Sequence, residues 1–205
     1  MALTKVLITV KTYPTLSEKY DELVCTAGFR EDGSWIRIFP VPFRKLDSNV
    51  GTSLAIVKPK EIIDFIWIPC DREWNKQKMD KVIANKAQGS LFDEDETRLV
   101  FKVVKKLPYE FSYIFTTEDG KTRTIMIKDW ELGALYWKCI EKAKGNEIEA
   151  CQKVKEKYLD YMWYQRDLYF FMGTTKQFHN ISPNPFIIIG TFYPPKIDTQ
   201  QLSFF

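Results

Sequence analysis

A group of basic and aromatic residues that can hold nucleic acid falls on or beside the first predicted strand and hairpin. The group consists of Lys11, Tyr13, Arg30, Trp35, Arg37, Arg44 and Lys45. Trp35, Arg37 and Phe39 alternate along one predicted strand, so they share one face if that strand is regular. Sheet surfaces that bind single strands use aromatic rings to stack on bases and arginines to hold phosphates. The alternative is that both aromatic residues belong to the core and that Arg37 pairs with an acid such as Glu22.

The loop of residues 174–184 contains the only histidine of the chain, His179. It connects two predicted strands, and loops in such positions often carry function. Thr174, Lys176 and His179 can hold a phosphate or act as acid and base. Their spacing does not assign a nucleophile, a base and an orienting group, and an exposed histidine without a catalytic role is the alternative.

The last five residues are Gln201, Leu202, Ser203, Phe204 and Phe205, and they follow a break at Pro194 and Pro195. Clustered apolar side chains on a tail mark a contact site. The string resembles the pentapeptide by which bacterial polymerases and repair proteins bind the DNA sliding clamp, with Phe204 where leucine is commoner. The resemblance implies that Leu202 and Phe205 fill an apolar cleft of the clamp while Gln201 hydrogen-bonds at its rim. The alternative is that the two phenylalanines pack onto the protein's own core.

Acidic residues leave a second functional class open, that of metal-dependent nucleases. The acids include Glu22, Asp64, Asp71, Glu73, Asp129 and Glu131. Two or three acids and a lysine can assemble a magnesium site once the chain is folded. The sequence contains no glycine-rich phosphate loop, His-Glu-x-x-His, Gly-x-Ser-x-Gly or Cys-x-x-Cys. We therefore assign no catalytic or metal-binding residue and expect no cofactor.

The composition indicates a folded protein with a substantial core. The chain has 205 residues, of which 45% are hydrophobic and 15% aromatic, which excludes global disorder. A net charge of +3 is too small to indicate nucleic-acid binding by itself, so any such binding depends on local clusters. The four cysteines lack zinc or disulfide spacing and are expected to be reduced. No signal peptide or membrane span is predicted, and we expect a soluble, cytoplasmic protein.

Two Asp-Gly dipeptides predict two β-hairpins, because this dipeptide supplies the positive φ angles of a tight turn. The first hairpin joins residues 22–30 and 35–39, and the second joins residues 111–117 and 121–128. Apolar or β-branched runs predict further strands at residues 5–11, 61–69, 98–105, 167–173 and 186–192. Residues 44–60 are predicted to be mainly loop.

Helical signals are strongest between residues 129 and 165. Asp129 and Asn146 each precede an apolar stripe of helical spacing and are expected to cap a helix, so a helical hairpin is predicted. A further amphipathic helix is expected over residues 74–87.

Together these elements predict an α+β fold with a mainly antiparallel, barrel-like sheet of about seven strands. We expect one domain over residues 1–195 and an interaction tail over residues 196–205. The resulting hypothesis is a DNA-associated accessory protein that docks on the bacterial sliding clamp through its tail and contacts DNA or RNA with its basic and aromatic surface. A metal-dependent nuclease or other nucleic-acid-processing enzyme is the first alternative, and a protein-interaction module with a structural tail is the second.

Overall fold

A computed structural model describes residues 5–17, 21–42, 54–90, 104–174 and 184–196. The chain divides into two compact units: unit 1 comprises residues 1–51 and 69–110, and unit 2 comprises residues 52–68 and 111–205. Within the described residues each unit has its own sheet and its own helical part. The assignment of one domain to residues 1–195 stays a prediction, because compactness alone does not show whether each unit folds by itself.

Unit 1 is built around one long central strand. Its strands are β1 (Val6–Lys11), β2 (Thr15–Ser17), β3 (Asp21–Arg30) and β4 (Trp35–Pro42). β4 pairs along one edge of β3, and β1 and β2 share the other edge, all antiparallel. The predicted first hairpin is confirmed, with Gly33 in its turn at φ 77°. The helix α1 (Lys76–Ser90) packs against β2 and β3 and buries Val82 completely.

Unit 2 contains a six-stranded sheet. Its strands are β5 (Leu54–Val57), β6 (Glu61–Pro69), β7 (Tyr109–Thr116), β8 (Thr122–Ile127), β9 (Tyr169–Thr174) and β10 (Phe186–Phe192). The spatial order is β5-β9-β10-β8-β7-β6. β9 pairs antiparallel with β5 and β10, and β7 pairs antiparallel with β8, whereas β10 runs parallel to β8.

The helical hairpin predicted between residues 129 and 165 is confirmed. It consists of α2 (Trp130–Lys142) and α3 (Glu147–Lys155), which pack against each other. Asp129 Oδ1 accepts a hydrogen bond from the Glu131 amide at 2.9 Å, and Asn146 Oδ1 accepts one from the Glu149 amide at 3.2 Å. Both predicted caps therefore satisfy amides that the first helical turn leaves without intrahelical partners. A π-helical segment, Glu156–Tyr161, continues α3.

The core of unit 2 is rich in aromatic side chains. Phe65 is fully buried and lies with its ring centroid 5.2 Å from Tyr113, 5.5 Å from Tyr158 and 5.9 Å from Phe111. Tyr113 in turn lies 4.9 Å from Phe170. Such tilted and edge-on ring pairs add to the free energy gained from burying apolar area. This cluster brings β6, β7 and β9 together with the π-helical segment.

The predicted fold class is correct at the level of α+β, whereas the barrel-like arrangement is not confirmed. The described strands form two separate sheets, and the six-stranded one runs from β5 to β6 without closing on itself. The amphipathic helix expected over residues 74–87 is confirmed as α1, which ends three residues later, at Ser90. Residues 54–57 form β5, whereas they were expected to be loop. Of the strand predicted over residues 98–105, only Val104 and Lys105 are described, and they are not in a strand.

Two further findings concern the described residues only. None of their helices is long and apolar enough to cross a membrane. Cys25, Cys70, Cys139 and Cys151 are all free thiols, of which Cys25 and Cys151 are buried and the others are half-buried.

Candidate functional site

Trp35 and Arg37 share one face of β4 as predicted, but Trp35 is half-buried against a neighbouring ring and Arg37 is buried. Trp35 stacks on Phe29, with ring centroids 4.4 Å apart and an interplanar angle of 25°. Arg37 is only 7% exposed, and its Nε donates a hydrogen bond to Cys25 Sγ at 2.7 Å. Burial raises the pKa of the Cys25 thiol, and the Arg37 charge and hydrogen bond oppose that rise. Arg37 therefore acts as a buried partner of a thiol and does not present its cation to a phosphate in solution.

Lys11 and Arg30 lie on the opposite face of the same sheet. Lys11 is the cross-strand partner of Thr26, whereas Arg37 is the partner of Ala27, and neighbouring residues of β3 point to opposite faces. Burial lowers the pKa of Lys11. Arg30 Nη1 donates to Ser34 Oγ and to the Trp35 carbonyl, both at 3.0 Å, and so braces the hairpin turn. The described members of the predicted group are thus divided between two faces.

Several predicted site residues lie outside the described part of the chain, and their assignments stay predictions. They are Arg44 and Lys45 of the basic group, Lys176 and His179 of the loop, and the clamp-binding string of Gln201, Leu202, Ser203, Phe204 and Phe205. Thr174 is described: it is the last residue of β9 and is 1% exposed.

Unit 1 contains a groove between two segments that are distant in sequence, residues 70–75 and 104–108. Hydrogen bonds hold the segments together, and the Cys70 thiol donates one of them to the Leu107 carbonyl at 3.3 Å. The Cys70 amide donates to the Pro108 carbonyl at 3.0 Å, Trp74 Nε1 donates to the Val104 carbonyl at 2.8 Å, and Lys106 Nζ donates to the Glu73 carbonyl at 3.2 Å. The groove has a volume of about 680 Å³. Its lining consists of Leu16, Asp71, Arg72, Glu73, Trp74, Asn75, Lys78 and Lys106.

The chemistry of this groove combines an aromatic ring with clustered charge. Lys106 Nζ lies 5.8 Å from the centroid of the Trp74 ring, within the range of a cation–π interaction. Three cationic side chains line the groove, against two acidic ones, Asp71 and Glu73. Asn75 lies just before α1, and its Oδ1 accepts from the Lys78 amide at 3.3 Å; the first turn of α1 carries no acid. The positive end of the helix dipole therefore adds to the positive charge at this wall.

Tyr13, a member of the predicted basic and aromatic group, contacts a segment that forms the groove. Its hydroxyl donates to the Lys105 carbonyl at 2.8 Å. The groove itself was missed from the sequence, because it depends on residues about 30 positions apart, such as Trp74 and Val104. The available signal was local: a tryptophan with cations on both sides in residues 72–78.

Unit 2 contains a buried carboxylate, Asp129, between β8 and α2. Besides capping α2 through Oδ1, it accepts at Oδ2 from the Thr191 amide at 3.2 Å, the Thr191 hydroxyl at 3.1 Å and the Tyr158 hydroxyl at 3.4 Å. Burial raises the pKa of Asp129 to about 6, and the hydrogen bonds from Glu131 and Thr191 oppose this rise. A carboxyl group with such a pKa suits acid–base catalysis. Because both oxygens accept from groups of the protein itself, however, the arrangement indicates an anchor between elements.

The acids named as possible metal ligands do not form one cluster. Among the residues that the structure describes, no three His, Cys, Asp or Glu side chains lie close enough together to hold a metal ion. Asp64 instead pairs with Lys155 at 2.6 Å. Asp71 and Glu73 line the groove of unit 1, and Asp129 caps α2.

Comparison with protein families gives two matches. The model described as Domain of unknown function (DUF8757) matches residues 44–205, and the model described as Domain of unknown function (DUF8758) matches residues 2–56. No curated protein and no solved structure gives a significant match. Leu16 lies in the part matched by DUF8758, whereas the other residues that line the groove lie in the part matched by DUF8757. The match to DUF8757 covers well over half of the chain, and the chain belongs to that family.

Proposed function

We propose that this DUF8757 protein is a non-enzymatic accessory protein that binds nucleic acid in the groove of unit 1 and docks on a bacterial sliding clamp through its C-terminal tail. The observation that carries the nucleic-acid part is the combination of Trp74 with three cations in one open groove. The clamp part rests on the pentapeptide resemblance alone.

The groove suits an anionic polymer with flat, stackable bases. The Trp74 ring offers a face on which a base can stack, a contact that contributes roughly 1–3 kcal/mol in single-strand-binding proteins. Arg72, Lys78 and Lys106 can neutralise neighbouring phosphates and release counterions. These features of the groove support nucleic-acid binding by unit 1. The basic and aromatic residues that were predicted from sequence support it less, because most of their described side chains contact other residues of the sheet.

The binding proposal predicts that substitutions in the groove weaken the binding of nucleic acid. Replacing Trp74 with Ala should weaken the binding of a fluorescent single-stranded oligonucleotide by about 5- to 100-fold, because one stacking contact is lost. A plot of log affinity against log salt concentration has a negative slope. Lys78→Gln combined with Lys106→Gln should make that slope shallower by about 1.4, because two phosphate contacts are lost. Fluorescence anisotropy titrations at several salt concentrations measure both effects.

Two controls distinguish binding from folding. Trp74→Phe keeps a stacking ring but loses the hydrogen bond to Val104, so it should retain most of the affinity. Lys60→Gln removes an exposed cation of unit 2 and should leave the slope at the wild-type value. Absence of salt-dependent binding by the wild-type protein, or equal binding by the Trp74→Ala variant, would exclude the groove as the nucleic-acid site.

A metal-dependent nuclease is the second candidate, since Asp71 and Glu73 line the groove together with Lys78 and Lys106. These acids are oxygen ligands of the kind that Mg²⁺ prefers, although two carboxylates form a sparse site. Under our proposal, labelled single- and double-stranded DNA and RNA stay intact with the protein in Mg²⁺ or Mn²⁺. Cleavage that disappears in an Asp71→Asn variant and persists in an Asp160→Asn variant would replace the binding module with a nuclease.

A further inference from the structure

A second cluster of cations and aromatic rings lies on unit 2, at the end of the π-helical segment. We call it the Tyr161 patch, and it consists of Lys157, Tyr161, Tyr164, Arg166, Tyr193 and Lys196. None of these residues was singled out as a site from the sequence. The contacts of these residues fix the positions of the three cations, Lys157, Arg166 and Lys196.

Two cations of the patch lie against the same ring. Lys157 Nζ is 3.9 Å from the centroid of Tyr161 and 4.8 Å from that of Tyr193, and Arg166 Cζ is 5.0 Å from Tyr161. The two charges are therefore at most about 9 Å apart. Like charges at that distance repel by about 0.5 kcal/mol in water and by about 2 kcal/mol at the effective dielectric constant of a protein surface. An anion that contacts both cations relieves this repulsion.

The third cation is held by the neighbouring chain segment. Lys196 Nζ donates to the Tyr164 carbonyl at 2.9 Å, and Arg166 forms an isolated antiparallel bridge with Pro195. The Asp167 amide also donates to the Pro194 carbonyl at 3.0 Å. Residues 164–167 and 193–196 thus run side by side, and this pairing places Arg166 and Lys196 on adjoining backbone.

Two acids that are close to the patch in sequence pair with lysines outside it. Glu131 accepts from the Tyr193 hydroxyl at 2.7 Å and is the acid that contacts a ring of the patch. Asp167 is adjacent in sequence, but its carboxylate pairs with Lys58 at 3.2 Å, and Glu156 pairs with Lys153 at 2.8 Å. In the part of the chain that the structure describes, the three cations of the patch outnumber the two acids that remain beside it, Glu131 and Asp160.

We propose that the Tyr161 patch is a second contact for single-stranded nucleic acid, with a base stacked on Tyr164. One phosphate is held between Lys157 and Arg166, and a neighbouring phosphate is held by Lys196. Tyr164 is 61% exposed, so its ring is accessible to a base. The inference rests on the proposed function, because it names a further contact for the same class of ligand. It makes no use of the groove residues of unit 1 and can be tested separately.

The test compares two double variants of the full chain that lose the same charge. The patch variant is Arg166→Gln with Lys196→Gln, which leaves Lys157 and its ring contacts in place. The control variant is Lys121→Gln with Lys142→Gln, two exposed lysines of unit 2 outside the patch. Binding of a single-stranded oligonucleotide of about 30 nucleotides is measured by anisotropy over a range of salt. In the patch variant, the negative slope of log affinity against log salt concentration should become shallower by about 1.4. The control variant should keep the wild-type slope.

Each possible outcome either supports or overturns the proposed nucleic-acid contact at the Tyr161 patch. Equal slopes for the wild-type protein and the patch variant, with weaker binding by Trp74→Ala, would overturn the patch and leave the groove in place. Absence of wild-type binding would overturn both. An equal loss in the control variant would assign the effect to net charge and overturn the patch. Polyglutamate of matched charge that binds as tightly, and loses as much in the patch variant, would assign the patch to an acidic protein and overturn the nucleic-acid inference.

Discussion

The carboxylate of Asp129 joins three parts of unit 2 through hydrogen bonds from Glu131, Thr191 and Tyr158. These donors belong to α2, β10 and the π-helical segment. Burial disfavours the charged form of the carboxylate more than the donors favour it, so its pKa in the folded protein is about 6, compared with an ordinary value of 3.8. The folded state is therefore most stable when Asp129 is protonated. Its contribution to stability is fully present below about pH 4 and is lost as the pH rises through about 6.

Replacing Asp129 with Asn should remove this pH dependence. Asparagine keeps an acceptor for the Glu131 amide and is itself a good N-cap, but it cannot ionise. We expect the difference in unfolding free energy between the wild-type protein and this variant to change by about 3 kcal/mol between pH 4 and pH 8, since one pKa unit corresponds to about 1.4 kcal/mol. The wild-type advantage should be largest at pH 4. Urea unfolding at several pH values measures the change.

An exposed acid provides the control for this experiment. Asp160→Asn should give a stability curve that runs parallel to the wild-type curve, because this side chain lies in solvent. Parallel curves for Asp129→Asn as well would show that Asp129 titrates as in an unfolded chain, and the proposed anchor would be rejected.

Arg37 illustrates why some residue roles could not be predicted from sequence. Its alternation with Trp35 correctly placed both on one face of β4, but alternation does not tell which face is covered. The hydrogen-bond partner of Arg37 is Cys25 on β3. The sequence around Cys25 indicates only that this residue is a small, buried side chain. Exposure, and with it the ability to contact phosphate, depends on the pairing of β1, β3 and β4 as a whole.

At the scale of elements, the sequence was most informative where a local residue determines the backbone. Gly33 and Gly120 adopt φ angles of 77° and 72°, and both predicted hairpins form around them. Asp129 and Asn146 start the two helices that they were expected to cap. In each case the decisive contact lies within a few residues along the chain, so no knowledge of tertiary structure was needed.

The elements that were missed depend on contacts distant in sequence. β5 has only four residues and is stabilised by pairing with β9, more than 100 positions further along. The π-helical segment continues α3 without a break in the apolar stripe, and its buried Tyr158 donates to Asp129 at 3.4 Å. π-helical turns are rare and often occur at functional sites, and this one presents Lys157 and Tyr161. Helical periodicity alone cannot separate a π turn from a regular one.

At the scale of the whole molecule, positive charge is local rather than general. The net charge is +3, yet the groove of unit 1 and the Tyr161 patch of unit 2 each gather three cations. Such clusters attract a polyanion over about one Debye length, roughly 8–10 Å at physiological salt. Under the proposed function we expect them to give modest, salt-sensitive affinity, which suits a protein whose location is determined by a further contact. The C-terminal string is the candidate for that contact.

The tail should bind a bacterial sliding clamp with an affinity on the order of micromolar. Burying Leu202, Phe204 and Phe205 provides roughly 4–9 kcal/mol, and ordering the tail takes back several kcal/mol. Leu202→Ala with Phe205→Ala should therefore weaken binding to an immobilised, purified clamp by at least about 10-fold, as measured by surface plasmon resonance. A nucleic-acid contact elsewhere in the chain would raise the apparent affinity on DNA-loaded clamps, because the second contact becomes intramolecular.

The rival expectation, in which the tail packs onto the protein's own core, predicts a different pattern. The same double variant would then lower the unfolding free energy by about 2–5 kcal/mol per large buried side chain and leave clamp binding absent or unchanged. Thr199→Ala with Gln200→Ala, immediately before the string, serves as the matched control and should alter neither readout. Loss of clamp binding at unchanged stability supports a docking tail. Loss of stability with clamp binding of equal strength in both proteins assigns the string to the core, because side chains buried within the protein cannot also fill a cleft on a partner.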